Sequence, residues 1–167
     1  MMERQMISFD GAGGRFSFRA AGIALRRGHV LVHRAHWDTH WSLPGGRVEV
    51  GEASALALTR EMEEELGVVA DIGPLRFVME NFFSYDDTRF HELGFYYAMA
   101  LPESFPFPDD GGICHECVDG DARLEFKWVK ADGPLLAGID FQPAKLRALL
   151  VRTSDEPVHI IHDERAP

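Results

Sequence analysis

Glu61, Glu64 and Glu65 stand three and four places apart within GRVEVGEASALALTREMEEELGV, residues 46–68. An α-helix turns roughly 100° per residue, which brings positions at that spacing onto one face. Three carboxylates side by side suit one chemistry well. Hard oxygen donors fit Mg²⁺ or Mn²⁺, and several on a rigid face can share more than one ion. The helix itself opposes the cluster. Like charges at this spacing repel by about 0.2–0.5 kcal/mol per exposed pair. The glutamates also lie toward the C-terminal end, where the helix dipole disfavours anions. A bound cation offsets both costs. The plainer alternative is a solvated acidic face, and charge spacing alone does not separate the two.

The cluster needs a helix to hold it and a sheet to hold the helix. Composition and period predict a helix over 53–66, stopped by Gly67 in a left-handed C-terminal position. Ala55, Leu58, Met62 and Leu66 form an apolar stripe, with the glutamates turned roughly 120° from it. Upstream, Phe16, Phe18 and Ala20 alternate with Ser17 and Arg19, and Ile23 and Leu25 follow. Beyond Gly28, residues 29–34 read as a second strand, so the pair predicts a hairpin. Residues 37–46, WDTHWSLPGG, read as a loop. Strands are expected at 68–70, 75–83, 93–101 and 122–130, with a turn at Tyr85-Asp86-Asp87. The Pro-, Gly- and Asp-rich stretch 102–121 is expected as a long loop, and 143–152 as a helix with Pro143 in its first turn. This order predicts an α+β fold, a mixed β-sheet sandwiched between α-helices. The whole of 1–167 reads as one domain, with 1–14 and 154–167 as loose or accessory ends. Val158, Ile160 and Ile161 in the tail suit an edge strand or a contact for a second copy, which would make a homodimer.

Gly46, Glu52, Arg60, Glu61, Met62, Glu64, Glu65, Gly67 and Val68 together match the Nudix hydrolase signature G-x5-E-x7-R-E-U-x-E-E-x-G-U, where U is bulky and apolar. The preceding Trp41-Ser42-Leu43-Pro44-Gly45 also resembles the run that leads into that box. The resemblance implies a mixed sheet between helices, with the box forming loop, helix and loop. It implies hydrolysis of a nucleoside diphosphate linked to another moiety, using Mg²⁺ or Mn²⁺. Carried over by position, Glu61, Glu64 and Glu65 are metal ligands, and the Gly46 carbonyl adds an oxygen. Glu64, Glu61 and Arg60 make up the catalytic set. Glu64 is favoured as general base, with Glu125 and Glu92 as candidates outside the box. Arg60 and Glu52 also suit a bracing role that orients the carboxylates.

Substrate choice rests on residues outside the box. Tyr85 stands 17 places past Val68, near the position of a Tyr associated with hydrolases of diadenosine polyphosphates. A turn residue packed beside Phe82 and Phe83 is the alternative. The Pro that marks ADP-ribose hydrolases is replaced by Phe83, and the SQPWPFPxS array of NADH hydrolases is absent. Arg34, Arg47 and Arg26 are candidates for phosphate contact, since guanidinium forks suit phosphate oxygens. Surface ion pairing is the competing role for each. Glu80-Asn81-Phe82-Phe83 is a candidate base-pocket wall. Cys114-His115-Glu116-Cys117 is a lone C-x-x-C, whereas structural zinc needs four ligands. A plain surface loop is the expectation there.

The chain has 167 residues, with 17 Lys plus Arg against 27 Asp plus Glu and a formal charge of −10. That balance argues against unspecific nucleic-acid binding, which needs basic surface. Two cysteines exclude a disulfide framework. No apolar run reaches a membrane span, and MMERQMISFD lacks a signal-peptide core, so a cytoplasmic location is expected. The sequence therefore predicts a metal-dependent pyrophosphohydrolase acting on a nucleoside triphosphate, a dinucleoside polyphosphate or a nucleotide sugar. Its rivals are a catalytically silent nucleotide-binding regulator and an isoprenoid diphosphate isomerase.

Overall fold

A computed structural model describes residues 3–108, 110–152 and 154–165. Met1, Met2, Ala166 and Pro167, within the expected loose ends, and Asp109, within the expected loop, lie outside the described residues.

The strands are β1 (Ser8–Gly11), β2 (Gly14–Arg26), β3 (His29–Ala35), β4 (Gly45–Arg47), β5 (Asp71–Tyr85), β6 (Thr88–Ala100), β7 (Ile113–Asp119), β8 (Ala122–Lys130) and β9 (Val158–Asp163). The helices are α1 (Ser54–Leu66) and the short α2 (Gly133–Gly138), with a 3-10 turn at Ala144–Leu146. The main path of the sheet runs β7-β8-β3-β2-β6-β5-β9, with β1 and β4 also paired to β2. Two pairings are parallel, β2 with β6 and β5 with β9. The sheet is therefore mixed.

The two faces of the sheet explain its composition. Val30, Leu31 and Val32 are all fully buried. Successive strand residues point to opposite faces, so Leu31 joins the cluster under α1 while Val30 and Val32 join the other. On the α1 face, Leu58, Met62 and Leu66 pack with Val48, Phe126 and Trp128. On the opposite face, Leu136 of α2 and Leu146 of the 3-10 turn pack with Trp41, Phe141, Met79 and Tyr96. Helical segments thus cover both faces, as expected for the α+β sandwich. The β2–β3 hairpin turns at Arg27 and Gly28, whose φ angles of 49° and 74° are what a two-residue hairpin loop of this hand demands.

Three expectations change. Within 102–121, residues 113–119 form β7, an edge strand paired antiparallel with β8. Its Gly- and Asp-rich flanks hide it, and its partner only becomes evident in three dimensions. The helix expected at 143–152 shrinks to the 3-10 turn and further turns, although Leu146 and Leu150 are buried as a helix would have buried them. The strand expected at 68–70 does not form, those residues being a bend and link after the helix stop, and 75–83 lies inside one longer strand, Asp71–Tyr85, irregular near Ile72 and Leu75. No helix among the described residues is long and apolar enough to cross a membrane.

Candidate active site

Helix α1 ends as its sequence predicts. Gly67 adopts φ 66°, ψ 22°, and its N–H donates to Glu63 O. The surprise is which side chains α1 buries. Glu61 and Glu65 are buried beside Leu58 and Met62, at 8% and 6% exposure, while Glu64 faces outward. The three glutamates do not share one solvated face. A wheel that assigns every acid to the polar side misses this.

Arg60 organises the first turn of the site. Its Nε and Nη2 fork onto the two oxygens of Glu52 at 2.8 and 3.0 Å. Its Nη1 donates to Glu61 Oε1 at 2.6 Å and reaches Glu64 Oε2 at 3.4 Å. Its Nη2 also donates to the Arg47 carbonyl at 3.2 Å. The hydrogen bonds from Arg60 hold the Glu52 carboxyl below its usual range. Burial pushes Glu61 upward, against the pull of Arg60. Gly46 sits directly against the Glu61 carboxylate, and a side-chain carbon there would collide with all three carboxyl atoms. Gly46 pairs with Ala20 in the β2–β4 ladder. Its visible contribution is the side chain it lacks.

Glu65 carries the greatest electrostatic tension. Burial, with the charge of Glu61 second, pushes its carboxyl up to about 8. Its Oε2 and the Nδ1 of His33 are both buried without a hydrogen-bond partner, and they lie 3.9 Å apart. His33 is pushed down to about 3 by burial and then by Arg19, so its ring is neutral. The Arg19 guanidinium donates to Leu43 O at 3.0 Å and acts electrostatically on both Glu61 and Glu65. Glu64 instead pairs with Arg4 at 3.0 Å. Among the described residues, no three His, Cys, Asp or Glu side chains converge into a closed metal cage.

A cleft of roughly 510 Å³ opens beside this corner, and Arg19, His33, Arg34, Arg47, Tyr85 and Glu92 are among its lining residues. Three of the side chains that the sequence singled out for substrate, Arg34, Arg47 and Tyr85, thus line one cavity. Arg34 is partly committed, with Nε 3.0 Å from Glu125 and its guanidinium over Trp41 at 4.5 Å. Tyr85 donates to Asp38 at 2.8 Å and accepts from Trp37 at 3.3 Å. Arg26 is elsewhere, spent on the carbonyls of Leu101, Pro102 and Phe105. Of the stretch 80–83, Asn81 and Phe83 line the cleft, while Phe82 packs under Arg165 and His91. Cys114 and Cys117 are free thiols on β7, each pushed up to about 11 mainly by burial. Their strand lies beside α1, and His115 meets the Glu65 carbonyl at 2.7 Å.

Arg19 and His33 are the residues that sequence reasoning missed. Each sits in an alternating strand with no local motif. Only the register of β2 and β3 beside β4 brings them to the carboxylates.

A mixed sheet between helices, with the box helix bearing buried carboxylates beside an arginine-lined cleft, places acidic and cationic side chains around one cavity. The chain belongs to the NUDIX family, since residues 17–150 match the NUDIX domain. It is 35% identical over 74 residues to an 8-oxo-(d)GTP phosphatase of Mycolicibacterium smegmatis, a match covering 35% of this chain and 23% of that protein. The matched segment is thus about a quarter of the curated relative's length. In fold it resembles a crystal structure of an ADP-ribose pyrophosphatase from Streptococcus suis, with TM-score 0.57, 14% identity, and 86% of this chain and 98% of that chain covered. It also resembles the MutT NUDIX hydrolase of Burkholderia pseudomallei, with TM-score 0.50, 22% identity, and 70% and 84% covered.

Proposed function

We propose that the chain hydrolyses a phosphoanhydride linkage in a nucleoside diphosphate derivative, with Mg²⁺ or Mn²⁺ held by Glu61 and Glu65 and assisted by Glu64. The observation that carries this reading is Glu65 Oε2, a buried carboxylate oxygen without a partner. It lies on the same helix as the buried Glu61 and near the cleft residue His33. Such an oxygen calls for a proton or a cation. Mg²⁺ commonly takes one or two carboxylates and completes its shell with water and phosphate oxygens. Two buried carboxylates without a closed cage suit that coordination. When bound, the ion would neutralise phosphate charge, polarise the phosphoryl group and make a coordinated water more acidic.

The chain's own residues would do the remaining work. Arg19 and Arg47 supply cationic donors for phosphate oxygens in an otherwise acidic protein. Arg60 fixes the direction of Glu61, so its proposed part is positioning. Glu64, the outward-facing glutamate of the three, is the proposed acceptor of the proton from the attacking water. Glu125, tied to Arg34, is less suited to that task. Tyr85 and Arg34 would hold the far end of the substrate. The resemblance to the 8-oxo-(d)GTP phosphatase of Mycolicibacterium favours a nucleoside triphosphate among the three substrate classes.

The test is a panel of nucleoside triphosphates, dinucleoside polyphosphates and nucleotide sugars with Mg²⁺ or Mn²⁺, both products being identified by phosphorus NMR. The expected result is a split P–O–P linkage. Tight nucleotide binding without turnover would assign the fold to sensing. An intact diphosphate in a rearranged product would assign it to isomerisation.

A further inference from the structure

Four side chains on four adjacent strands form one polar row across the sheet. Ser17 of β2 is in register with Glu92 of β6, Glu92 with Asn81 of β5, and Asn81 with His162 of β9. Ser17, Asn81 and His162 are buried at 1%, 5% and 9% exposure, and Glu92, Asn81 and His162 line the cleft. The hydrogen bonds run one way. Ser17 Oγ donates to Glu92 Oε2 at 3.4 Å. Asn81, the register partner of Glu92, accepts at Oδ1 from His162 Nδ1 at 2.9 Å, and burial pushes the Glu92 carboxyl upward against the pull of Arg19 and, more weakly, of Ser17, Arg47 and Asn81. With its proton on Nδ1, His162 locks the Asn81 amide. A carboxylate has about four acceptor sites, so Glu92 keeps acceptor capacity for a ligand carrying hydroxyl or N–H donors.

The neighbouring rows say which part of a nucleotide this is. Side chains two places apart share a face and lie roughly 7 Å apart along a strand. One step toward α1 is the row of Arg19, in register with Arg47 and Gly94. One step the other way is the row of Phe90 and Phe83, register partners whose rings stack 5.0 Å apart at 4°. Both rings line the cleft. Along the strands the order is cation, acceptor, aromatic. A nucleotide has the same order: anionic phosphates, a sugar whose hydroxyls donate, and a flat base.

We propose that Glu92, held by Ser17 and Asn81, accepts hydrogen bonds from the ribose hydroxyls of the substrate, and that the enzyme thereby prefers ribonucleotides to 2′-deoxynucleotides. Asn81 and His162 act as positioning residues for that carboxylate. His162 comes from β9, beyond the 17–150 segment that matches the family, so the preference is built from this chain's own C-terminal strand. The proposal rests on the nucleotide-hydrolase reading above.

The experiment compares GTP with dGTP and ATP with dATP as substrates of the full chain with Mg²⁺. Losing hydrogen bonds to a buried carboxyl acceptor predicts a kcat/KM ratio favouring the ribonucleotide by roughly tenfold, mostly through KM. Glu92→Gln and His162→Gln should shrink that ratio while each variant melts close to wild type. Phe83→Leu should weaken both sugars alike and leave the ratio unchanged. Equal use of both sugars by the wild type would overturn the proposal. So would a Glu92→Gln variant whose kcat collapses equally for both, which would make Glu92 the general base. If no nucleotide is cleaved, the hydrolase reading fails separately. Calorimetry of GMP against dGMP without metal then still decides the row, equal affinities counting against it.

Discussion

A buried carboxylate oxygen with no hydrogen bond must find a proton or a cation, and Glu65 is that group here. Burial, and after it the charge of Glu61, pushes its carboxyl up to about 8. Arg60 carries the opposite lesson. It satisfies Glu52, Glu61 and Glu64 at once, and Lys cannot reproduce a planar fork. Arg60→Lys should therefore lower stability by about 1–3 kcal/mol, read from urea unfolding, and should lower turnover further by releasing Glu61. His162 sets a pH dependence. Burial holds its imidazole below the usual value of about 6.5. Between those values the unfolded chain binds a proton that the folded chain does not. This contribution to stability is complete above about 6.5 and is lost as pH falls through the folded value. His33, pushed down to about 3, has the same sign. Glu65, raised by burial, has the opposite sign and stabilises the metal-free fold as pH falls from about 8, so the His162 contribution is read as the difference in urea midpoint between wild type and His162→Gln. From about pH 7 to about pH 5 the variant should gain on wild type, and parallel pH profiles would remove His162 as a contributor.

At the scale of elements, α1 and β4 meet where Gly46 touches the Glu61 carboxylate. Gly46→Ala should keep the helical circular dichroism signal yet lower kcat by about tenfold or more, because a sub-ångström to ångström displacement of a positioned group is costly. Full activity in that variant would show that Glu61 need not stand where it does. The helix itself was legible in the sequence: its span, its glycine stop and its glutamate spacing follow from period and capping. The burial of Glu61 and Glu65 was not, because helical arithmetic gives angles and no knowledge of what lies opposite. The turns after Pro143, where a helix over 143–152 is expected, and the strand β7 escape the sequence for a related reason. Leu146 and Leu150 need burial that a chain of turns provides equally well. The residues of β7 take their strand form from pairing with β8.

At the scale of the whole molecule, the cleft draws on β2, β3, β5, β6 and the C-terminal residues His162 and Glu164. Arg34, Arg47 and Tyr85 could be picked singly by side-chain chemistry. Arg19, His33 and the row from Ser17 to His162 could not, since no window of sequence contains the pairings that assemble them. β9 ties the far end of the chain into that surface by parallel pairing with β5. Ile160, 8% exposed, anchors it in the core. Ile160→Asp buries an unpaired charge and should cost about 3 kcal/mol or more, seen as a lower melting temperature. Release of β9 should also leave the edge of β5 open to self-association, visible by light scattering. A variant as stable and monodisperse as wild type would mean that β9 contributes little.

The most direct measurement follows nucleotide hydrolysis against Mg²⁺ concentration for the wild type and for Glu61→Gln and Glu65→Gln, each first shown to be folded. Saturable Mg²⁺-dependent cleavage by the wild type, with a loss of at least about a hundredfold in both variants, is the predicted outcome. Undiminished, Mg²⁺-responsive cleavage in the two variants would contradict the assignment of the buried carboxylate pair as the reacting centre.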